Sequence, residues 1–175
     1  MNPSPYKAKT ISFFLTGKCC LQCKYCIFHH GDIIPRTDIP TDYVKKRADE
    51  AVTLKVPYCI LTGGEPALHT DFLEIFRYLR DLGFRIRMIT TGFGLTDDIL
   101  KELTDYQRIR FCFSLDCHDQ KLNDRYRSPG AYHKVLDTID KIRGFRQDAY
   151  IGVNAILVKE TLRETPREAV AGRGE

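Results

Sequence analysis

β-rich runs and helical stripes take turns along this chain, and that alternation limits the fold more than any single residue does. "ISFFL" (11–15), "YCILT" (58–62), "RIRMIT" (85–90), "RFCFSL" (110–115) and "YIGVNAIL" (150–157) read as strands. Between the first two, residues 41–54 place Val44, Ala48, Ala51 and Val52 on one helical face behind Thr41 as N-cap. Residues 71–82 do the same with Phe72, Ile75, Phe76, Leu79 and Leu82, between Thr70 and a terminating Gly83. Residues 97–105 form a shorter helical stretch, and residues 132–143 carry Tyr132, Val135, Leu136, Ile139 and Ile142 as a stripe ending at Gly144. Strand then helix, repeated four times and closed by a fifth strand, predicts an α/β fold. Its sheet should be parallel, with right-handed crossovers and strands adjacent in sequence order. Periodicity leaves open whether such a sheet is doubly wound or curls toward a barrel. Both architectures put their chemistry at the carboxyl edge of the strands.

That edge collects the unusual residues. The stretch "TGKCCLQCKYCIFHH" (16–30) follows the first strand and "GGEP" (63–66) the second, while "TTGFG" (90–94) ends the third and "SLDCHD" (114–119) the fourth. Four of the seven cysteines fall within the first of these stretches, and an odd number so concentrated is a poor disulfide framework. The start, "MNPSPYKAKT", is polar, and "ISFFL" is too short for a signal sequence or a membrane span. The expected location is therefore the cytoplasm, where thiols stay reduced. Basic and acidic residues, 27 and 23, are spread along the chain to a net charge of +4, so neither nucleic acid nor membrane is an expected partner. A chain of 175 residues with 43% hydrophobic side chains fits one core. That core is expected over residues 1–160, with 161–175 as a polar tail, frayed or truncated.

Cys19, Cys23 and Cys26 stand as CxxxCxxC, a spacing that lets a short loop wrap three thiolates around a compact inorganic core. On a four-iron cube, three protein thiolates leave one iron open to an outside ligand. A closed structural zinc is another reading, with His29 or His30 as the fourth ligand of a Cys3His site. A plain ferredoxin-like carrier is a third. Cys59 and Cys112, inside strands, read as small buried hydrophobes, and Cys117 as a spare loop thiol. Taken alone, "GGEP" is a good turn.

CxxxCxxC with Tyr25 just before its last cysteine, at the end of a first strand, and "LTGGEPALH" (61–69) after a second, resembles the radical S-adenosylmethionine (radical SAM) superfamily. The likeness continues in "FSLDCHDQKLNDRYRSPGAYHKVLDTIDKI" (113–142). That stretch is similar to the Ser-Leu-Asp and Asp-x-x-Arg segment of the branch with molybdenum-cofactor, peptide-modifying and sulfatase-maturing enzymes. The resemblance covers roughly residues 10–157. It implies a partial TIM barrel of parallel βα units, with about five strands present of the usual six. It also implies a [4Fe–4S] cluster on Cys19, Cys23 and Cys26, with the amino and carboxylate groups of SAM on the fourth iron. An electron from a donor such as flavodoxin or ferredoxin then cleaves SAM to a 5′-deoxyadenosyl radical, which removes hydrogen from a peptide or cofactor precursor.

The same resemblance implies a set of cofactor-binding residues. Gly63 and Gly64 would let backbone approach the methionyl part of SAM, Glu65 would accept from its amino group, and Pro66 would stiffen that turn. Tyr25 would pack near the adenine; Ser114 and Asp116 would face the ribose and carboxylate. Arg127 would pair with the SAM carboxylate, with Arg125 as its competitor, and Asn154 would reach SAM from the fifth strand. Thr91 stands where related proteins often have asparagine. With strand six missing, the chain reads as a truncated product, a domain fragment, or a minimal member completed by another chain. The exposed edge beyond strand five is then an association hazard. The competing reading is a nonenzymatic zinc or iron–sulfur scaffold.

Overall fold

The computed structural model describes residues 7–28 and 36–164. At its centre is one parallel sheet of β1 (Thr10–Phe14), β2 (Tyr58–Thr62), β3 (Arg85–Thr90), β4 (Ile109–Ser114) and β5 (Tyr150–Asn154), in the order β1-β2-β3-β4-β5. Around it lie α1 (Thr41–Thr53), α2 (Phe72–Asp81), α3 (Asp97–Asp105), α4 (Gln120–Tyr126), α5 (Ala131–Phe145) and α6 (Lys159–Glu164). A strand order that never reverses leaves every right-handed crossover on the same side of the sheet, which is how a barrel wall is built. A doubly wound sheet would reverse its order at a switch point.

Burial follows the two-residue period of the strands. Phe13, Leu61, Ile86, Met88, Phe111 and Phe113 point toward the helices and pack with Phe76, Leu79, Leu100, Leu103 and Val135 in one buried cluster. Each such side chain stabilises the fold by about 1.5–3 kcal/mol. The alternate strand positions face the other way. Ser12, Ile60, Arg87, Arg110 and Tyr150 form one row across the sheet by register, and all but Ile60 are exposed. Parallel sheets usually have both faces covered. Among the described residues, only the helix-side face is covered here.

Several boundaries differ from the sequence reading, each for a local reason. β5 ends at Asn154 rather than 157, because the Ile156 amide leaves the ladder and donates to Asp116 Oδ1 at 2.9 Å. Thr41 opens α1 but does not cap it; Pro40 holds the cap position and the Thr41 hydroxyl donates to Asp71 at 2.6 Å. Thr70 does not cap α2, since its amide and hydroxyl go to Asp38 Oδ2 at 3.1 and 2.8 Å, and Asp71 becomes the boundary. α5 runs through Gly144 to Phe145. The segment expected to fray begins with α6, in which Thr161 is buried, and residues 165–175 lie outside the described residues.

Candidate functional site

The loop after β1 is strapped down by the loop after β2. Gly64 N donates to Thr16 O at 2.7 Å and Glu65 N to Lys18 O at 2.8 Å. A Cβ on Gly63 would lie 2.5 Å from Thr16 O, and one on Gly64 2.2 Å from Lys18 O. Gly63 also sits at φ +139°, a backbone state that side chains disfavour. The glycines thus permit a close approach between two loops of the protein itself.

On this strapped loop Cys23 is buried, Cys19 and Cys26 are half-buried, and Cys20 is exposed. The three cysteines of the motif pack with Leu21, Tyr25, Phe93 and Ala131 in one small apolar cluster. Cys26 N closes a turn onto Cys23 O at 3.0 Å, while Gln22 N to Ser128 Oγ (2.8 Å) and Lys24 N to Tyr126 O (2.9 Å) tie the loop to α4 and the residues after it. Burial pushes the Cys19 thiol up to about 11; the Leu21 amide opposes this, and the charges of Glu65, Cys23 and Cys26 add to it. Burial also raises Cys23, against the pull of Arg127, while Cys26 and Asp116 push it higher. The three sulfurs thus lie close enough to repel one another as thiolates. Burial of Cys19 and Cys23 disfavours their thiolates, and a cationic centre beside them would favour ionisation. Three soft donors with these properties fit an iron–sulfur core, which takes one thiolate on each of three irons. Among the described residues, no three His, Cys, Asp or Glu side chains converge so as to hold a single metal ion. His29 and His30, the expected zinc ligands, lie outside the described residues.

Glu65 is fully buried, and its oxygens are already occupied. Oε1 accepts from the Thr90 hydroxyl at 2.6 Å; Oε2 accepts from the Thr91 amide at 2.7 Å and the Thr91 hydroxyl at 2.6 Å. The Ala67 amide supplies a fourth donor. Burial pushes its carboxyl up to about 6 in spite of those donors. Glu65, expected to accept from the SAM amino group, also fastens the loop after β3 beneath the loop after β2 through these bonds. Pro66 is buried and starts a single turn of tight helix, Pro66–Leu68. Thr91, found where asparagine was expected, is one of the donors that fasten Glu65.

Asp116 joins the fourth loop to the first. It is 1% exposed; Oδ1 accepts from Arg127 Nη2 at 2.6 Å and from the Ile156 amide, and the Tyr25 hydroxyl donates to Oδ2. Arg127 also lies over the Tyr25 ring, 5.7 Å from its centroid. Its Nε is buried without a partner among the described residues. Arg127 shares an open recess of ≈560 Å³ with Ser114, Val153, Asn154, Ala155 and Ile156. Ser114 and Asn154 are partners in the β4–β5 register, so three of the expected SAM contacts meet at one mouth. Arg125 is exposed and is not among the residues around that mouth.

Sequence reasoning missed three supports. The Asn123 side chain is fully buried and accepts from the Asp116 amide at 3.0 Å. Asp124 accepts from the amides of Gly130 and Tyr132, both at 2.8 Å, and so fixes the start of α5. Thr90 completes the Glu65 cage. The visible signal for the first two was Asp119, whose Oδ1 caps α4 by accepting from Leu122 N at 2.7 Å.

The family model of the radical SAM superfamily matches residues 13–170. The AdoMet-dependent heme synthase of Methanosarcina barkeri is 32% identical over 157 residues, covering 89% of this chain and 44% of that protein. The mycofactocin maturase MftC of Mycolicibacterium smegmatis is 28% identical, covering 82% of this chain and 36% of its own length. Streptococcus suis SuiB, solved with S-adenosylmethionine bound, superposes with a TM-score of 0.78 over 90% of this chain and 36% of SuiB; at 16% identity this is a likeness of fold. The chain spans less than half the length of these relatives.

Proposed function

The chain belongs to the radical SAM superfamily, a superfamily of enzymes, and on that premise we propose that it is the core that holds a [4Fe–4S] cluster on Cys19, Cys23 and Cys26 and takes SAM beside it. The observation that carries this reading is the gathering of those three thiols in one apolar collar, wired through Tyr25 to the Asp116–Arg127 pair. When bound, the cluster and SAM supply a 5′-deoxyadenosyl radical for hydrogen abstraction. The protein's share is placement.

On this reading Arg127, which lines the recess, meets the SAM carboxylate, while Asp116 keeps the guanidinium from turning away. Ser114 and Asn154 offer hydroxyl and amide groups to the ribose at the same recess. Tyr25, held by its hydroxyl, gives the adenine a flat apolar surface. Gly63, Gly64, Glu65 and Pro66 act beneath, keeping the cysteine loop and the third loop in place. The substrate is a peptide or cofactor precursor, and the electron comes from a flavodoxin or ferredoxin. All seven cysteines are free thiols, in keeping with a reducing cytoplasm. Among the described residues no helix is long and apolar enough to cross a membrane.

The test is anaerobic reconstitution with iron and sulfide, then SAM and dithionite, with 5′-deoxyadenosine measured by chromatography. Production of the nucleoside, abolished in Cys23→Ala together with the cluster's absorbance, is the expected result. Tight stoichiometric zinc with no cluster would instead make the chain a scaffold, and an intact cluster indifferent to SAM would make it an electron carrier.

A further inference from the structure

The sheet face turned away from the helices carries an arginine layer that the cofactor site does not use. Arg85, Arg87, Arg108 and Arg110 surround a cavity of ≈340 Å³ with Tyr58 and Ile60, and an adjoining recess of ≈280 Å³ shares Arg85, Arg108 and Arg110 and adds Tyr150. Arg87 and Arg110 are direct partners in the β3–β4 register, on the same face. Like charges directly opposite one another in a sheet repel. No strand position on this face is Asp or Glu, so nothing in the sheet offsets that repulsion.

Elsewhere arginines find acids: Arg47 pairs with Glu50, Arg77 with Glu102, Arg80 with Asp81 and Arg127 with Asp116. Asp148, beside the second recess, lies 4.0 Å from Arg146. By contrast Arg85, Arg87 and Arg110 have no ion pair among the described residues. Aromatic rings hold two of them in place. Arg85 donates to the Tyr58 hydroxyl at 3.0 Å and lies 5.6 Å from the Tyr58 ring centroid, and Arg110 lies 4.7 Å from that of Tyr150. Positioned guanidinium forks are suited to two-point contacts with carboxylate or phosphate.

We infer that Arg85, Arg87 and Arg110 form a binding site for the anionic end of the substrate, a molecule bearing carboxylate or phosphate groups. Its reacting end would lie toward the carboxyl edge. From Arg110 to Ser114 the strand climbs four residues, about 13 Å, so the substrate is elongated, with its charge well separated from the bond that reacts. This inference deepens the reaction proposed above and rests on it for the word substrate, but the anion site is measured by itself.

The experiment is calorimetric titration of the full chain with citrate and, separately, tripolyphosphate at low salt, alongside Arg87→Gln, Arg110→Gln and the double variant. Arg77→Gln, which removes a paired surface arginine, is the control for loss of charge alone. Saturable binding of at least one anion is expected, at least tenfold weaker in the double variant, unchanged in the control, and falling with added salt. Preference for citrate assigns a carboxylate substrate and preference for tripolyphosphate a phosphorylated one. No saturable binding of either anion, or equal losses in the double variant and the control, overturns the site. SAM binding to the reconstituted protein is measured in parallel. If it survives while anion binding is absent, this inference alone fails; if it is missing while anion binding persists, the reaction reading fails and the anion site stands.

Discussion

Two buried carboxylates stand at the carboxyl edge, and they are treated differently. Glu65 is enclosed by neutral donors, two hydroxyls and two amides, with no cation touching it among the described residues. Asp116 is met by a guanidinium, a phenol and an amide, and the arginine beside it lines an open recess and has a buried nitrogen without a partner among the described residues. The first region is finished: it has no hydrogen-bonding capacity left to offer. The second is complete except at one atom. A resemblance in sequence marks both carboxylates alike, whereas their surroundings separate an enclosed carboxylate from one beside an open recess.

The sharpest way to break that contrast is Asp116→Ala. Removing the acid leaves Arg127 buried and unpaired, which should cost about 3–5 kcal/mol in denaturant unfolding. A loss below 1 kcal/mol would mean that water reaches the pair freely, and the contrast would disappear.

Glu65 gives the next largest effect, and it depends on pH. Its folded carboxyl is raised to about 6 from an ordinary 4.5, so its contribution to stability is fully present below 4.5 and is lost as the pH rises through 6. The difference in unfolding free energy between the wild type and Glu65→Gln should therefore shift by about 2 kcal/mol across that window and then stay level. A flat difference curve would show that the four donors cancel the cost of burial.

The smallest effect sharpens the comparison. Tyr25→Phe removes one donor from Asp116, but Tyr25 is only half-buried and water can take the vacated position. The expected cost is about 1 kcal/mol in stability. Affinity for SAM should fall more than stability does, because the ring loses the bond that fixes its plane. Equal losses in both would make the tyrosine a mere support.

The period-two strands, their order and the edge at which loops meet were all legible, because apolar alternation reports directly which residues face the helices. Cys19, Cys23 and Cys26 were legible because thiol spacing is a property of the chain alone. α4 was not. Its one fully buried member is Asn123, buried by a hydrogen bond to the Asp116 main chain, and hydrophobic periodicity has no access to that kind of burial. The cap positions failed for a similar reason. Thr41 and Thr70 have the chemistry of caps, but Asp71 and Asp38 are nearer partners contributed by distant sequence. The roles of Glu65 and Thr91 became visible only once β2 and β3 lay side by side.

The paired glycines after β2 set the distance between the loops after β1 and β2. Carbonyls of the cysteine loop occupy the space where side chains would otherwise stand, so the gap between the two loops is fixed by main chain alone. Rotamer changes nearby cannot widen it. Even a single methyl group at Gly64 would act as a wedge against the Lys18 carbonyl at the head of the cysteine loop.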